Sequence, residues 1–365
     1  MKTPLRIYVL GTIGLAAYGL VQLAPRGPAG VLDPTRRAAK IMAAAERRIR
    51  ECRDARGLSS DPVSDINRTG LIGVEASPIT TTMGDLEAKR TVTNPNIAGL
   101  VVRLLTEAGV KKGDTVAVGA SSSFPGSILA VLSAAGALDL DIIAICSLGA
   151  SQWGANDPRF DWLDMYDCAS RDGGLPAKWL ALTIGGERDI GDDLGPEGRR
   201  LIAEKIRRRG IPSFEEPDLA RNVERRVRLY EGAAAGKPIR AFINIGGAWA
   251  NIGTDSSVLR VEPGLARVRE IPSRESRGVL QEMASRGIPV IHLLNVKGLA
   301  ARYGLPLDPG PLPDPGEWRE DSRAGEAKRV VRIVGWTYFG LVVLVLAASA
   351  RNPRKPVSGR GAGDS

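Results

Sequence analysis

Three consecutive serines, Ser121, Ser122 and Ser123, follow the apolar run "TVAVGA" and precede "FPGS", placing hydroxyls at a strand-loop-helix transition. A serine used as a nucleophile needs a base within reach. The chain offers few. His292 is its single histidine and stands near the end of the apolar run "IPVIHLLN", where a hydrogen-bonded core residue is the ordinary role. Lys89 qualifies as a base only where its surroundings depress its pKa.

Lys89 and Arg90 belong to a second constellation, the polar run "GDLEAKRTVT" that leads into a helix. Asn94 is a good N-cap and Pro95 suits a first helical position, because its missing N–H has no partner there. Ile97, Leu100, Val101, Leu104, Leu105 and Ala108 then form one apolar face. A helix N-terminus favours an anion through its free N–H groups and positive dipole end. Lys89, Arg90, Asn94 and Asn96 therefore read either as an anion-facing loop or as a solvated surface loop with an ordinary cap.

A third constellation is the pair "TIGGERDIG" and "NIGGAWANIG". Gly185 and Gly186 in the first, and Gly246 and Gly247 in the second, let backbone N–H groups approach a ligand as anion nests do, or simply make tight turns. Neither loop has the lysine and hydroxyl of a P-loop, and neither fits a dinucleotide fingerprint. Glu187, Asp189, Asp192 and Asp193 have the spacing of no ion-binding loop, and one histidine excludes a His-rich zinc site. Neither a metal nor a cofactor is expected.

The elements that would position these groups alternate. Helices are expected at 95–108, 126–137, 159–169, 196–209, 217–233 and 275–286, with strands at 115–120, 141–147, 179–186, 239–247 and 288–295. Continuous apolar strands alternating with helices predict an α/β fold, a mostly parallel sheet covered by helices on both faces. Ligands of such sheets bind beyond the carboxyl ends of the strands, which is where the serine loop and both Gly-Gly loops fall.

The two ends of the 365-residue chain differ from its middle. Residues 7–24 and 333–350 carry no charge and are each just long enough to span a bilayer. No convincing cleavage site follows the first, so an uncleaved anchor is expected rather than a signal peptide. Arg351, Arg354, Lys355 and Arg360 follow the second and hold the tail inside. The expected organisation is an N-terminal transmembrane anchor at 1–24, a connector and amphipathic helix at 25–60 and an extracytoplasmic α/β domain at 61–307. A Pro-rich extended linker at 308–332, a transmembrane helix at 333–350 and a basic cytoplasmic tail at 351–365 complete it. Of the formal charge of +9, the flanks of the two spans hold more than half, leaving about +4 for the middle. That excess helps attract a polyanion, and without interleaved basic and aromatic residues it does not point to nucleic acid. Cys146 reads as a buried small hydrophobe, while Cys52 and Cys168 are free to pair outside the cell without being required to.

The runs "SPITTTMGDLEAKRTVTNPNIAGLVVRLL", "GVKKGDTVAVGASSSFPG" and "ICSLGASQWGANDPRFDWLDM" resemble the poly-gamma-glutamate system protein family, over roughly residues 70 to 300. "GDLEAKRT", "TNPN" and "GASQWGANDP" are the most specific parts. These are membrane-attached accessory proteins of bacterial poly-γ-glutamate synthesis, and the resemblance transfers no catalytic residues. It implies a role in making, exporting or anchoring an anionic exopolymer or capsule at the cell envelope. The implied partners are the polymer, the membrane subunits of the synthase and the lipid bilayer. On this basis Lys89, Arg90 and Asn94 are expected to hold a glutamyl carboxylate near Ser121–Ser123. Two alternatives stay open: a γ-glutamyl hydrolase or transferase using a serine of the 121–123 loop, and a small-anion-binding envelope protein.

Overall fold

The computed structural model describes residues 33–317 except 172 and 174, together with the isolated positions 14, 339 and 340. Among the described residues no helix is long and apolar enough to cross a membrane. The two expected spans and the basic tail lie, but for those isolated positions, outside the described residues.

Six strands form one sheet in the order β3-β2-β1-β4-β6-β5. They are β1 (Thr115–Ser121), β2 (Asp141–Ser147), β3 (Lys178–Thr183), β4 (Ile239–Ile245), β5 (Gly264–Ala266) and β6 (Val290–Leu293). Neighbours pair in parallel except β5, which runs antiparallel to β6 at the edge. The chain builds outward from β1 to β3, then crosses back to place β4 on the other side of β1. That reversal makes the carboxyl ends of β1 and β4 a topological switch point, where crevices form in open α/β sheets.

The side-chain alternation of each strand decides which helices it meets. Val116, Val118, Ala120, Ile142, Ala144, Ile243 and Ile291 belong to one buried cluster with α1 (Pro34–Ala55), α3 (Asn96–Glu107), α4 (Pro125–Leu138) and α5 (Trp162–Ala169). Ala117, Ile143, Ala181, Phe242 and Val290 face the other way, onto α7 (Leu219–Ala234) and α9 (Val279–Ser285). The remaining helices are α2 (Leu86–Thr91), α6 (Pro196–Arg209), α8 (Trp249–Ile252) and α10 (Val296–Tyr303). The sheet is covered on both faces, as the continuous apolar strands require.

Helix α1 is fixed at its start by Asp33, whose carboxylate accepts from Thr35 N at 3.2 Å, and by Pro34 in its first turn. Ala38, Met42, Ala45 and Ile49, spaced at helical intervals, are all fully buried and lay the helix over α3 and α4. Cys52, near its end, is disulfide-bonded to Cys168 of α5, closing a separation of 116 residues. Cys146 is free and buried in β2, and burial pushes its thiol up to about 12, which makes it an inert hydrophobe.

Three local expectations are corrected. Residues 86–91 are not a loop but helix α2, capped by the Asp85 carboxylate, which accepts from Ala88 N at 3.2 Å. Helix α3 starts at Asn96, and Asn94 caps through a short turn, its Oδ1 accepting from Asn96 N at 3.0 Å. The Pro-rich stretch from 308 does not run free. Asp308 pairs with Arg90, Asn67 Nδ2 donates to Pro309 O at 2.7 Å, and Asn96 bonds both Asp314 O at 3.1 Å and Gly316 N at 2.7 Å. Proline and glycine forbid regular structure there, yet the backbone still finds partners on the domain.

Candidate functional site

The carboxyl edge of β1 and β2 continues into two turns that lie against each other. After β1, Ser121–Phe124 turns directly into α4, whose Gly126 has no room for a side chain, since a Cβ there would sit 2.4 Å from Val92 O. After β2, the chain passes Gly149 and Ala150 and folds into the turn Ser151–Gly154. Four backbone bonds tie this turn to the segment before α2: Gly73 N to Trp153 O, Trp153 N to Val74 O, Thr81 N to Ala150 O and Gln152 N to Thr82 O, at 3.2, 2.9, 3.0 and 3.0 Å. Ala155 N donates to Ser122 O at 2.9 Å, and Ser151 N donates to Ser123 Oγ at 3.0 Å, so the serine loop and the Ser151 turn form one unit.

Lys89 enters this unit from α2. It is 2% exposed. Its Nζ donates to the Ser123 carbonyl and lies 2.7 Å from Ser151 Oγ, with the Phe124 ring centroid 3.9 Å away. Burial pushes the amine down to about 7, with the charge of Asp85 acting the other way. A lysine held there carries a free lone pair near neutral pH, and the hydroxyl it meets is that of Ser151.

The candidate serines therefore divide. The Ser122 hydroxyl contacts Cys146 Sγ at 3.6 Å, and the Ser121 hydroxyl accepts from Ser123 N at 3.3 Å. The Ser123 hydroxyl is spent on Ser151 N, and Lys89 takes that residue's carbonyl instead. None of the three hydroxyls meets a base, while Ser151, which sequence reasoning passed over, does. The signal was present: Ser151 lies inside "GASQWGANDP", and Lys89 was the one base whose competence depended on burial.

The basic pair of α2 is split in the same way. Arg90 points away from Lys89 and forks onto Asp308, its Nε 2.6 Å from Oδ1, with Nη2 bonding the second carboxylate oxygen. Neither cation faces solvent as an anion-holding loop would need, because the helix directs one side chain inward and the other to the docked 308–317 segment. Asn94 and Asn96 are also buried, and Asn96 serves that segment.

The Gly-Gly loops are engaged internally. Gly186, at φ +71°, faces the Asp193 carboxylate, which accepts from Glu187 N at 2.8 Å, so the protein supplies its own anion to that turn. Gly185 packs against Ser147 and Gly149. Asp189 is buried against Arg226 at 2.6 Å and accepts from Ser147 Oγ and Thr183 Oγ1 at 3.0 and 2.8 Å, a closed ionic network behind β2 and β3. Gly246, at φ +75°, sits over Ser121 and Phe124, and Gly247 beside it is exposed at the switch point. His292 stands next to Asn244 across β6 and β4, Nδ1 to Nδ2 at 3.0 Å, and burial pushes it down to about 4. It is a neutral core residue. Among the described residues no group of three or more His, Cys, Asp or Glu is placed to hold a metal ion.

A separate cationic feature lies at the far edge of the sheet. A groove of about 520 Å³ beside β5 is lined by Arg260, Arg267, Arg269 and Arg302, with Glu262 and Glu270. Arg260 pairs with Glu270 at 2.5 Å and Arg302 with Glu262 at 2.9 Å. Arg267 and Arg269 are exposed, alternate along an extended segment and, among the described residues, take no acidic partner.

Comparison with known protein families, with curated proteins and with solved structures finds no match for this chain.

Proposed function

We propose that this chain is a membrane-anchored accessory component of poly-γ-glutamate synthesis or export, holding the anionic polymer on an α/β domain outside the cytoplasm. The observation that carries the polymer contact is the arginine groove beside β5. Two of its four arginines are matched by glutamates, which leaves Arg267 and Arg269 to meet carboxylates repeated along an extended chain. The rest of the reading comes from the resemblance of residues 70 to 300 and from the uncharged ends of the sequence. The Cys52–Cys168 disulfide fits an oxidising compartment and so supports a domain on the outer side. Lys89 and Arg90 leave the polymer-holding role, being committed to Ser151 and Asp308.

Binding of this type is electrostatic and exposed, so it weakens as salt shortens the screening length from ~10 Å at 0.1 M to ~3 Å at 1 M. The test is retention of long poly-γ-glutamate by the full-length chain in detergent across a salt series. Salt-sensitive retention supports the proposal; no retention at low salt refutes it.

A further inference from the structure

The contact between Lys89 and Ser151 is unlike the other lysine side-chain contacts among the described residues. Lys112, Lys205 and Lys297 each meet a carboxylate: Asp139, Asp161 and Asp164, and Asp85 and Glu87, respectively. Lys89 meets none. Its amine is enclosed by a carbonyl, an aromatic ring and one hydroxyl, so a proton on it would be desolvated without a counter-charge. A methionine or leucine would fill the same space at lower cost, so packing alone does not account for an amine there.

We infer that Ser151 and Lys89 form a serine–lysine dyad for acyl transfer from an amide, with Ser151 Oγ as nucleophile and Lys89 Nζ as its base. The geometry meets the usual requirement of nucleophile and base within hydrogen-bond reach and the base oriented by a third group. The separation is 2.7 Å, and the Ser123 carbonyl fixes the amine. Ser151 is itself held, its N–H on Ser123 Oγ and its carbonyl accepting from Gly154 N at 2.9 Å. Two residues on, Trp153 adopts φ +56°, a left-handed conformation that a bulky side chain rarely takes and that collects at functional sites.

A groove of about 460 Å³ adjoins the turn through Trp153 and α2 through Leu86, and is also lined by Gly73, Val74 and Arg159; Ser151 and Lys89 lie behind its wall. Leu86 lies one helical turn before Lys89, and Trp153 lies in the turn that carries Ser151. The loop over Gln152 is held by two hydrogen bonds, Gln152 N to Thr82 O at 3.0 Å and Gly84 N to Gln152 Oε1 at 3.1 Å, and Met83 at its tip is 88% exposed. Ser151 is 6% exposed, so a chain reaches it only after local movement around the turn.

The steps balance without a metal or co-reactant other than water. Ser151 Oγ bonds to the amide carbon while its proton passes to Lys89 Nζ. The C–N bond breaks, and the Lys89 proton goes to the leaving amine. Water then attacks the ester, Lys89 taking and returning one proton, to release the carboxylic acid and restore Ser151. An amine in place of that water gives transfer rather than hydrolysis.

The substrate class rests on the proposed function: a γ-glutamyl amide of the bound polymer. The dyad itself does not. Asp85, the cap of its own helix, is among the described residues the one ionised group that bears on Lys89; Glu87 and Asp85 both engage Lys297 of α10, Arg90 engages Asp308, and the turn before α4 presents the uncharged Phe124.

The test treats the full-length chain in detergent with a fluorophosphonate, which captures an activated serine by displacement of fluoride, and maps the adduct by mass spectrometry. Polymer length is read in parallel. The inference predicts an adduct on Ser151 whose rate of formation rises with pH around a midpoint near 7. Labelling disappears in Ser151→Ala and falls by more than about 100-fold in Lys89→Arg, which keeps a cation but cannot become a base. Adduct together with polymer shortening supports both dyad and substrate. Adduct with polymer untouched supports the dyad and overturns the γ-glutamyl assignment. No Ser151 adduct on folded wild-type protein between pH 7 and 9, or equal labelling of Lys89→Arg, overturns the dyad.

Discussion

Lys89 shows how one buried residue links stability to chemistry. Its amine sits at about 7 in the folded chain against 10.5 in an exposed one, so the unfolded chain holds the extra proton between those values. The resulting stability cost is full below pH 7 and is relieved as pH rises through the window. Lys89 is therefore expected to add up to about 1.4 kcal/mol of stability per unit from pH 7 to pH 9, below the range where the Cys146 thiol acts the other way, and Lys89→Met to lack that rise, as denaturant titrations at several pH values would show. An identical slope in the variant would place the titration elsewhere. His292 acts in the acid range. Folded at about 4 against 6.5 in the unfolded chain, it is neutral in the fold and takes a proton on unfolding, so stability falls as pH drops from 6.5 toward 4. His292→Asn is expected to remove that part of the slope, read as the difference between the two pH profiles. At this scale the sequence singled out the lysine and the burial that a base would need, but set it near Ser121–Ser123, whereas its amine meets the Ser151 hydroxyl. Ser121–Ser123 and Ser151 are both polar residues after apolar strands, and only the crossing of the two turns decides which hydroxyl faces α2.

Elements long enough to show a period were legible. Helix 196–209 was read to its exact ends, and β2 likewise, because an apolar face or an unbroken apolar run leaves little freedom. Elements held by neighbours rather than by their own pattern were not. Helix α2 has six residues, β5 has three and α8 has four, each below the length at which periodicity registers. The docked 308–317 segment is the extreme case, since its order comes from Arg90, Asn67 and Asn96 and not from its own composition. The disulfide also belongs to this scale. Spacing left Cys52 and Cys168 merely free to pair; it is the packing of α1 beside α5 that joins them. A cross-link closing a loop of this length is expected to contribute roughly 2–5 kcal/mol, so Cys52→Ser with Cys168→Ser should lower the unfolding free energy by that amount. Cys146→Ala serves as the comparison for thiol removal alone. No loss in the double variant would mean that the two thiols are not bonded in the protein.

The described residues combine an α/β domain with a candidate site at the strand ends and an arginine groove at the far edge. The parallel sheet was legible from the alternation of apolar runs, and so was the direction of search, toward the carboxyl edge. The groove was not, because Arg260, Arg267, Arg269 and Arg302 are separated in sequence and meet only once the antiparallel β5 is laid beside β6. Net charge alone gave a mild excess without a location. The central claim is that this groove holds a polyanion. Its most direct test is the affinity of the full-length chain for long poly-γ-glutamate, measured from 50 mM to 500 mM salt for wild type and for Arg267→Glu with Arg269→Glu. The account predicts binding that weakens with salt in the wild type and a loss of at least about 10-fold at low salt in the variant, with an unchanged fold. Equal affinity of the two proteins, or binding indifferent to salt, would contradict it.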